Sequence, residues 1–419
     1  MSHRAFSMPW LGAAFMALAM LAGLVPVNPA RAEWALTYSP SLYYDESYIF
    51  STTPTSDGGH VSTGHFKLSG RDYDQRILVV KLDYGGNVVW SKGYGIGTGA
   101  DIQQTADGGY IVAGAVHQGD IVNTGPPFLL KLDQNGRKEW ARLYESAQVA
   151  AAPGYASGRS ISVCQAGDGG YALGTSHRAA DAPVPDYWDF WIVKTDAQGH
   201  IEWEKACDLS SELGLDPEYA YKRHVSDIVP TSDGGYLAVG THMEGELAVN
   251  FPDLSQRLVF LVKLDEHGGC EWYKSYNNAN EDGIAHSGAN ALMETHNASS
   301  EPDGYFVAGR AWSSGQGRWW VARLNLNGGI SWQKFFRWDP FPGSWSHHSA
   351  QSCLQDSDGN ILVSGLFGYP KYFFKSGVIK LSPSGGMIWA KRLTWPLEES
   401  ESYTEYVFSL SESESGNYV

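Results

Sequence analysis

The chain has 419 residues, of which 43% are hydrophobic and 18% charged, with 48 Gly, 16 Trp, 23 Tyr, 16 Phe and a formal net charge of −16. That length suits two or three domains or one large β-fold. The acidic balance excludes a phosphate-neutralising nucleic-acid surface, the aromatic content excludes disorder, and abundant Gly and aromatics with few charges favour short strands and tight turns over helices.

In chain order, the first segment reads as a targeting signal. His3 and Arg4 precede an apolar stretch from Leu11 to Val27, and Ala30-Arg31-Ala32 supplies small residues for cleavage. Residues 1–32 are therefore expected to be a secretory signal peptide, which predicts a periplasmic or extracellular protein. Pro26 and Pro29 break the apolar run, so it is a poor membrane anchor. No cysteine follows it to accept a lipid, and no later stretch is long and apolar enough to span a bilayer. Residues 33–419 are expected to form one domain.

Two phrases recur through that domain. The first is Thr105-Ala-Asp-Gly-Gly-Tyr-Ile-Val-Ala-Gly114, repeated as Thr231 to Gly240 and Gly167 to Gly174, with weaker copies at Thr55 to Gly64, Asp303 to Gly309 and Asp358 to Gly365. The second pairs a basic residue with a tryptophan nine positions on. Its copies are Lys81 and Trp90, Lys131 and Trp140, Lys194 and Trp203, Lys263 and Trp272, Arg323 and Trp332, and Lys380 and Trp389.

Each unit reads as four strands. Strand A ends at the Asp-Gly-Gly turn, strand B ends at the Gly of the first phrase, strand C carries the basic residue and strand D the tryptophan. Pairing Asp83 with Val88 across the C–D turn would set Lys81 opposite Trp90 on one face. This predicts a structural cation–π pair in every unit, worth about 0.5–2 kcal/mol, rather than a row of cofactor-stacking indoles.

Four-stranded units repeated around a chain, without helical patterns between them, predict an all-β fold: a β-propeller of four-stranded antiparallel blades. Trp34-Ala-Leu-Thr-Tyr38 reads as a lone strand D, and the segment from Tyr403 to Val419 as strand A and the start of B. Counting these half-units gives seven blades, the last incomplete or closed by the N-terminal strand. Strand B breaks off at Val419, so the natural product is expected to continue.

The Lys-Leu-Asp-x-x-Gly-x-x-x-Trp hairpin is similar to the repeats of quinoprotein-like propellers. The Asp-Gly-Gly-Tyr-Ile-Val-Ala-Gly phrase resembles the uncharacterised secreted bacterial propeller repeats called SBBP or delta-60 type. The resemblance covers nearly the whole of 33–419 and implies architecture, not activity. Quinoprotein dehydrogenases hold their quinone against a vicinal Cys-Cys disulfide, and no two cysteines are adjacent here. No cofactor is therefore expected. The repeats also resemble an outer-membrane assembly scaffold lipoprotein, whose lipid-accepting cysteine is missing. Sialidase-type Asp boxes match only in their first half, at Thr55, Thr105 and Thr231, because the closing aromatic is absent.

Candidate acids such as Asp45, Glu46, Asp186, Asp189 and Glu405 show no glycosidase spacing and read as solvated loop charges. Asp356-Ser-Asp358-Gly-Asn360 has alternating oxygen ligands around a Gly but no closing acid, so it reads as another A–B turn, and no metal site is expected. Cys164, Cys207, Cys270 and Cys353 fall on units or ends too far apart to bridge.

The A–B and C–D turns share one end of every blade and are short. The B–C and D–A connections share the other end and are long and variable, which makes that end the expected binding face. His65, His117, His177 and His242 follow strand B, whereas His224, His286, His347 and His348 enter strand A; Trp188, Trp312, Trp345, Tyr369 and Tyr372 join them. A row of histidines is commonly a set of loop hydrogen bonders; the sharper reading is a pocket for an anionic or metal-bearing ligand, pH-dependent between about pH 5 and 8. The expected function is a secreted, non-enzymatic propeller that binds a glycan, a peptide or an envelope protein there. The alternative is a secreted polysaccharide hydrolase or lyase on the same scaffold.

Overall fold

The computed structural model describes residues 44–68, 75–117, 125–145, 161–177, 189–207, 221–244, 258–276, 286–313, 316–337, 347–369 and 373–393. These form twenty-four strands in six sheets of four. Blade 1 holds β1 (Tyr44–Pro54), β2 (His60–Leu68), β3 (Gln75–Leu82) and β4 (Val88–Ile96), and blade 2 holds β5 (Thr98–Gln104), β6 (Tyr110–Ala115), β7 (Pro127–Leu132) and β8 (Lys138–Leu143). Blade 3 holds β9 (Ser162–Gln165), β10 (Tyr171–His177), β11 (Asp189–Thr195) and β12 (Ile201–Cys207), and blade 4 holds β13 (Tyr221–Pro230), β14 (Tyr236–Glu244), β15 (Leu258–Leu264) and β16 (Cys270–Tyr276). Blade 5 holds β17 (His286–His296), β18 (Pro302–Ser313), β19 (Gln316–Leu324) and β20 (Ile330–Phe336), and blade 6 holds β21 (His347–Gln355), β22 (Ile361–Tyr369), β23 (Phe373–Leu381) and β24 (Met387–Leu393).

Within every sheet the order is sequential and each neighbour is antiparallel, so the expected A-to-D meander is present and the fold is a β-propeller. The expected count of seven is corrected to six. Each of the six basic-residue-and-tryptophan hairpins belongs to one complete blade, and blade 6 takes all four strands from 347–393. Among the described residues, no strand from outside 347–393 joins it. The half-units at 34–38 and 403–419, like the expected signal peptide at 1–32, lie outside the described residues. Among the described residues no helix is long and apolar enough to cross a membrane.

The core lies between blades. Strands β6 and β7 are buried at nearly every position because both faces of the sheet are covered. Val61, Ile77 and Val79 of blade 1 pack with Ile102, Val112 and Leu130 of blade 2, and the same layering continues from each blade to the next. The D strands alternate exposed and half-buried residues, marking the outer rim. The A strands meet one another directly: the Ser51 hydroxyl of β1 donates to Asp101 Oδ1 of β5 at 2.8 Å, which puts them innermost.

Each hairpin is closed by the chemistry its phrase encodes. In the A–B turn of blade 2, Thr105 N–H bonds the Gly109 carbonyl at 2.9 Å while Gly108 takes φ +81°, a conformation open to Gly at little cost. The second glycine has a different reason: a Cβ on Gly109 would stand 2.5 Å from the Lys131 ammonium and 2.3 Å from the Leu132 carbonyl oxygen.

The basic residue and the tryptophan do sit opposite each other, as the spacing implied: Lys81↔Trp90, Lys131↔Trp140, Lys194↔Trp203, Lys263↔Trp272, Arg323↔Trp332 and Lys380↔Trp389. The cationic head, expected over the indole, reaches instead to an aspartate of its own blade, in the A–B turn or, for Asp303, at the start of β18. Distances are 2.9 Å for Lys81–Asp57, 2.8 Å for Lys131–Asp107, 2.6 Å for Lys194–Asp168, 2.8 Å for Lys263–Asp233, 2.5 Å for Arg323–Asp303 and 2.7 Å for Lys380–Asp356. An ion pair reinforced by a backbone carbonyl, such as Lys81 Nζ to Leu82 O at 2.8 Å, is a stronger partner for a buried ammonium than a ring face. The cations that do lie over these tryptophans come two residues further along strand D: Lys92 on Trp90 and Lys391 on Trp389, each at 5.4 Å.

The tryptophans point to the next blade. Trp90 meets Tyr110, Trp140 meets Tyr171, Trp203 meets Tyr236 and Trp272 meets Tyr305, with ring centroids about 6 Å apart. The same indoles cover the positive-φ glycine of the neighbouring C–D turn, as Trp140 covers Gly199.

Candidate functional site

The two ends of the blades differ chemically. At the turn end, charge is consumed internally. Asp57 and Asp107 are each held down to about 2: against a desolvation cost that pushes upward, the lysine, the turn threonine and a glycine N–H stabilise the carboxylate. Bonds also clasp neighbouring turns, such as Gln104 Oε1 accepting from Ser56 N–H at 2.7 Å and Gln165 Oε1 from Ala106 N–H at 2.8 Å. At the Asp356–Asn360 turn, Asp356 accepts from the N–H groups of Asp358 and Asn360 and pairs with Lys380. Those oxygens face two backbone N–H groups and the Lys380 ammonium.

Blade 6 also shows why its aspartate differs. Asn360 stands where blades 1 to 4 have the second glycine, and the lysine is found on Asp356, in the position of Thr55, rather than on Asp358.

At the other end, strand B finishes and strand A begins. His65 on β2 and His117 just beyond β6 are brought together by Thr98 at the start of β5: the hydroxyl lies 3.4 Å from His65 Nδ1 and 3.0 Å from His117 Nε2. Such a hydroxyl donates to one imidazole and accepts from the other. Tyr48 and Phe50, stacked with 6° between ring planes, flank His65 at 5.3 and 5.4 Å. Burial, and secondarily the neighbouring His117, push His65 down to about 4, so this imidazole is neutral across the physiological range.

His224 Nδ1 lies 3.5 Å from the Ser176 hydroxyl of blade 3, and His348 stacks on Phe367 within blade 6. The backbone of His177, His242, His286 and His347 reaches the same end of the sheets, opposite Asp189, Arg223, Trp312 and Gly368. Trp188 and Trp345 lie outside the described residues, as do most of the B–C and D–A connections. The eight histidines thus share an end; the described side chains that meet are the His65–Thr98–His117 and His224–Ser176 groups.

Sequence reasoning missed Thr98, Tyr48 and Phe50, which belong to no repeated phrase. It also missed the axial carboxylates Asp101 and Asp227. Their only signal is an acidic residue inside strand A, four residues before the turn threonine in each case, Thr105 and Thr231. Among the described residues no three metal-ligating side chains converge.

No protein-family model and no curated protein matches the chain. Among solved structures, it is similar to a protein of unknown function from Dyadobacter fermentans (13% identity, 78% of this chain and 92% of that one, TM-score 0.47). A protein of unknown function from Bacteroides caccae is 12% identical over 83% of this chain and 97% of that one, with a TM-score of 0.39. Sqt1 from Chaetomium thermophilum, bound to the N-terminus of the ribosomal protein L10, is 12% identical over 87% and 78%, with a TM-score of 0.44. Likenesses this distant concern the fold alone, and none carries weight for function.

Proposed function

We propose that this chain is a secreted propeller that binds a glycan, a peptide or an envelope protein without transforming it, using the face where strand B ends and strand A begins. The supporting observation is the contrast between the two ends. The turn end is short and uniform, and its charges are paired within each blade. At the opposite end Tyr48 is exposed and His117 and Phe50 are half-buried, set on the buried His65 and Thr98. Those groups suit a neutral or weakly polar ligand: an imidazole that stays neutral donates and accepts hydrogen bonds, and aromatic faces stack on sugar rings or peptide side chains. The sequence pattern of residues 1–32 supports export to the periplasm or beyond.

The test is an array of immobilised glycans and peptides probed with the purified protein, alongside a reducing-sugar assay on the same glycans. Retention without release of reducing ends is expected. Release on turnover overturns the non-enzymatic reading, and absence of any retained glycan, peptide or envelope protein overturns the binding role.

A further inference from the structure

Strand A carries a bulge at matching places in five blades, between Ile49 and Ser51, Gly99 and Asp101, Val225 and Asp227, Ala289 and Ala291, and Ala350 and Ser352. The bulge re-aims the residues beside it toward the innermost strands of the neighbouring blades. There a hydrogen-bonded chain crosses blade boundaries, and its donors can be counted.

Asp101 of blade 2 is fully supplied. Oδ1 accepts from the Ser51 hydroxyl at 2.8 Å and its own neighbour Ile102 N–H at 2.8 Å; Oδ2 accepts from Val163 N–H at 2.9 Å and the Ser162 hydroxyl at 3.0 Å. Asp227 of blade 4 has two backbone donors, the N–H groups of Ile228 and Leu292, and must share its one hydroxyl contact with Asp101. Oδ2 accepts from Leu292 N–H of blade 5 at 2.8 Å, but Oδ1 faces the same Ser162 oxygen, also at 3.0 Å. A serine hydroxyl has one proton. With that proton on Asp101, the contact between Ser162 Oγ and Asp227 Oδ1 is a bond only if Asp227 supplies its own.

We infer that Asp227 is a neutral carboxylic acid in the folded protein at mildly acidic pH, donating to Ser162, which donates to the Asp101 carboxylate, so that one retained proton ties blades 2, 3 and 4 together at the axis. The surroundings agree. Asp227 is half-buried beside the Asp101 carboxylate, and desolvation, then the Asp101 charge, raise it to about 7 against the hydrogen bonds from Leu292, Ser162 and Ile228. From the elements packed around it, Asp101 on β5, Cys164 on β9 and Cys353 on β21 are the titratable groups that sense it, and none supplies positive charge. Lys194 of β11 is held at the turn end by Asp168 and Glu202, Glu294 of β17 binds Ser232 there, and His224, on β13 with Asp227, lies against Ser176.

The sign of the linkage is unusual for an aspartate. In the unfolded chain the group loses its proton near 3.8, whereas in the fold it keeps it to about 7. Between those values the native state holds more protons, so stability falls as pH rises through that window and levels off above it. Three pKa units amount to about a thousandfold in the unfolding constant. Above neutrality, two half-buried carboxylates share one hydroxyl proton, and the joint between blades 3 and 4 is weakened.

The experiment is the D227N variant, which keeps the shape and offers an amide N–H to Ser162 and a carbonyl to Leu292. Thermal melts of the full chain from pH 5 to 8.5 should show wild type losing stability relative to D227N as pH rises, because the amide does not titrate. Taking the difference cancels the histidines that titrate in the same window. Infrared spectra of the wild type supply a measurement that does not depend on the variant folding: one protonated-carboxyl carbonyl band should be present at pH 6 and vanish with a midpoint near neutrality. A wild-type-minus-variant difference that stays constant over this range, or no such band at pH 6, overturns the inference.

Discussion

Lys131 Nζ lies 2.8 Å from Asp107 Oδ2, although the two residues are 24 positions apart and one is buried while the other is largely exposed. The exposed aspartate tolerates the loss of its partner; the buried ammonium does not. Replacing Asp107 by Asn should therefore cost about 1–2 kcal/mol, limited because Glu139 at 3.2 Å and the Leu132 carbonyl remain. Urea denaturation measures it, and an unchanged midpoint would contradict the role assigned to the pair.

Acid should act through two separate windows. His65 is buried and neutral, titrating at about 4 against 6.5 in the unfolded chain, so the unfolded state binds the extra proton and stability drops as pH falls through that interval. The drop reaches about 3 kcal/mol for a shift of this size. Below it, Asp57 and Asp107, lowered from 3.8 to about 2, lose their contribution as they protonate. The H65Q variant should flatten the upper window only. Melting temperatures at half-unit pH steps distinguish the two; equal slopes for both proteins between pH 4 and 6.5 would count against the histidine.

Trp140 is an inter-blade contact. It meets Tyr171 at 5.8 Å and covers Gly199 of blade 3. Truncation to Ala in W140A should cost about 2–4 kcal/mol, somewhat less than for a fully buried indole. A chemical-denaturation curve matching that of the wild type would remove the packing role.

The second glycine of Asp-Gly-Gly makes room for a cation. In G109A the new methyl meets the Lys131 ammonium and the Leu132 carbonyl, so a loss of about 1–3 kcal/mol is expected although the phi angle there needs no glycine. Paired with K131M, which removes the crowded head, the alanine should cost less, the remainder being its clash with the Leu132 carbonyl oxygen. Additive losses in the double variant would show that the glycine serves something else.

Strand order and hairpin positions were legible because the Asp-Gly-Gly turn and the nine-residue interval from base to tryptophan fix both hairpins of a blade locally. The blade number was misread because isolated strand-like segments at the ends, Trp34 to Tyr38 and Tyr403 to Val419, were given the weight of complete meanders. The lysine's partner was misread for another reason. Cross-strand spacing sets Lys131 opposite Trp140, but which way a four-carbon stem turns depends on a carboxylate brought in by a different turn, and no local pattern reports that. Thr98 and Ser162 were invisible for the same cause: each matters only through residues of other blades. The position of the histidines at strand ends was legible because it follows from the repeat alone.

The most direct test of the binding-face claim compares two sets of variants on one array of immobilised glycans and peptides. One set replaces His117, His177 and His224 together by Ala; the other alters exposed positions of the turn end, with A106E and D358K. Both should keep the wild-type melting temperature to within a few degrees. The account predicts that retention of bound array members is lost, at least tenfold, in the histidine triple and kept in the turn-end pair. Retention kept in the triple and lost in the turn-end pair would contradict it.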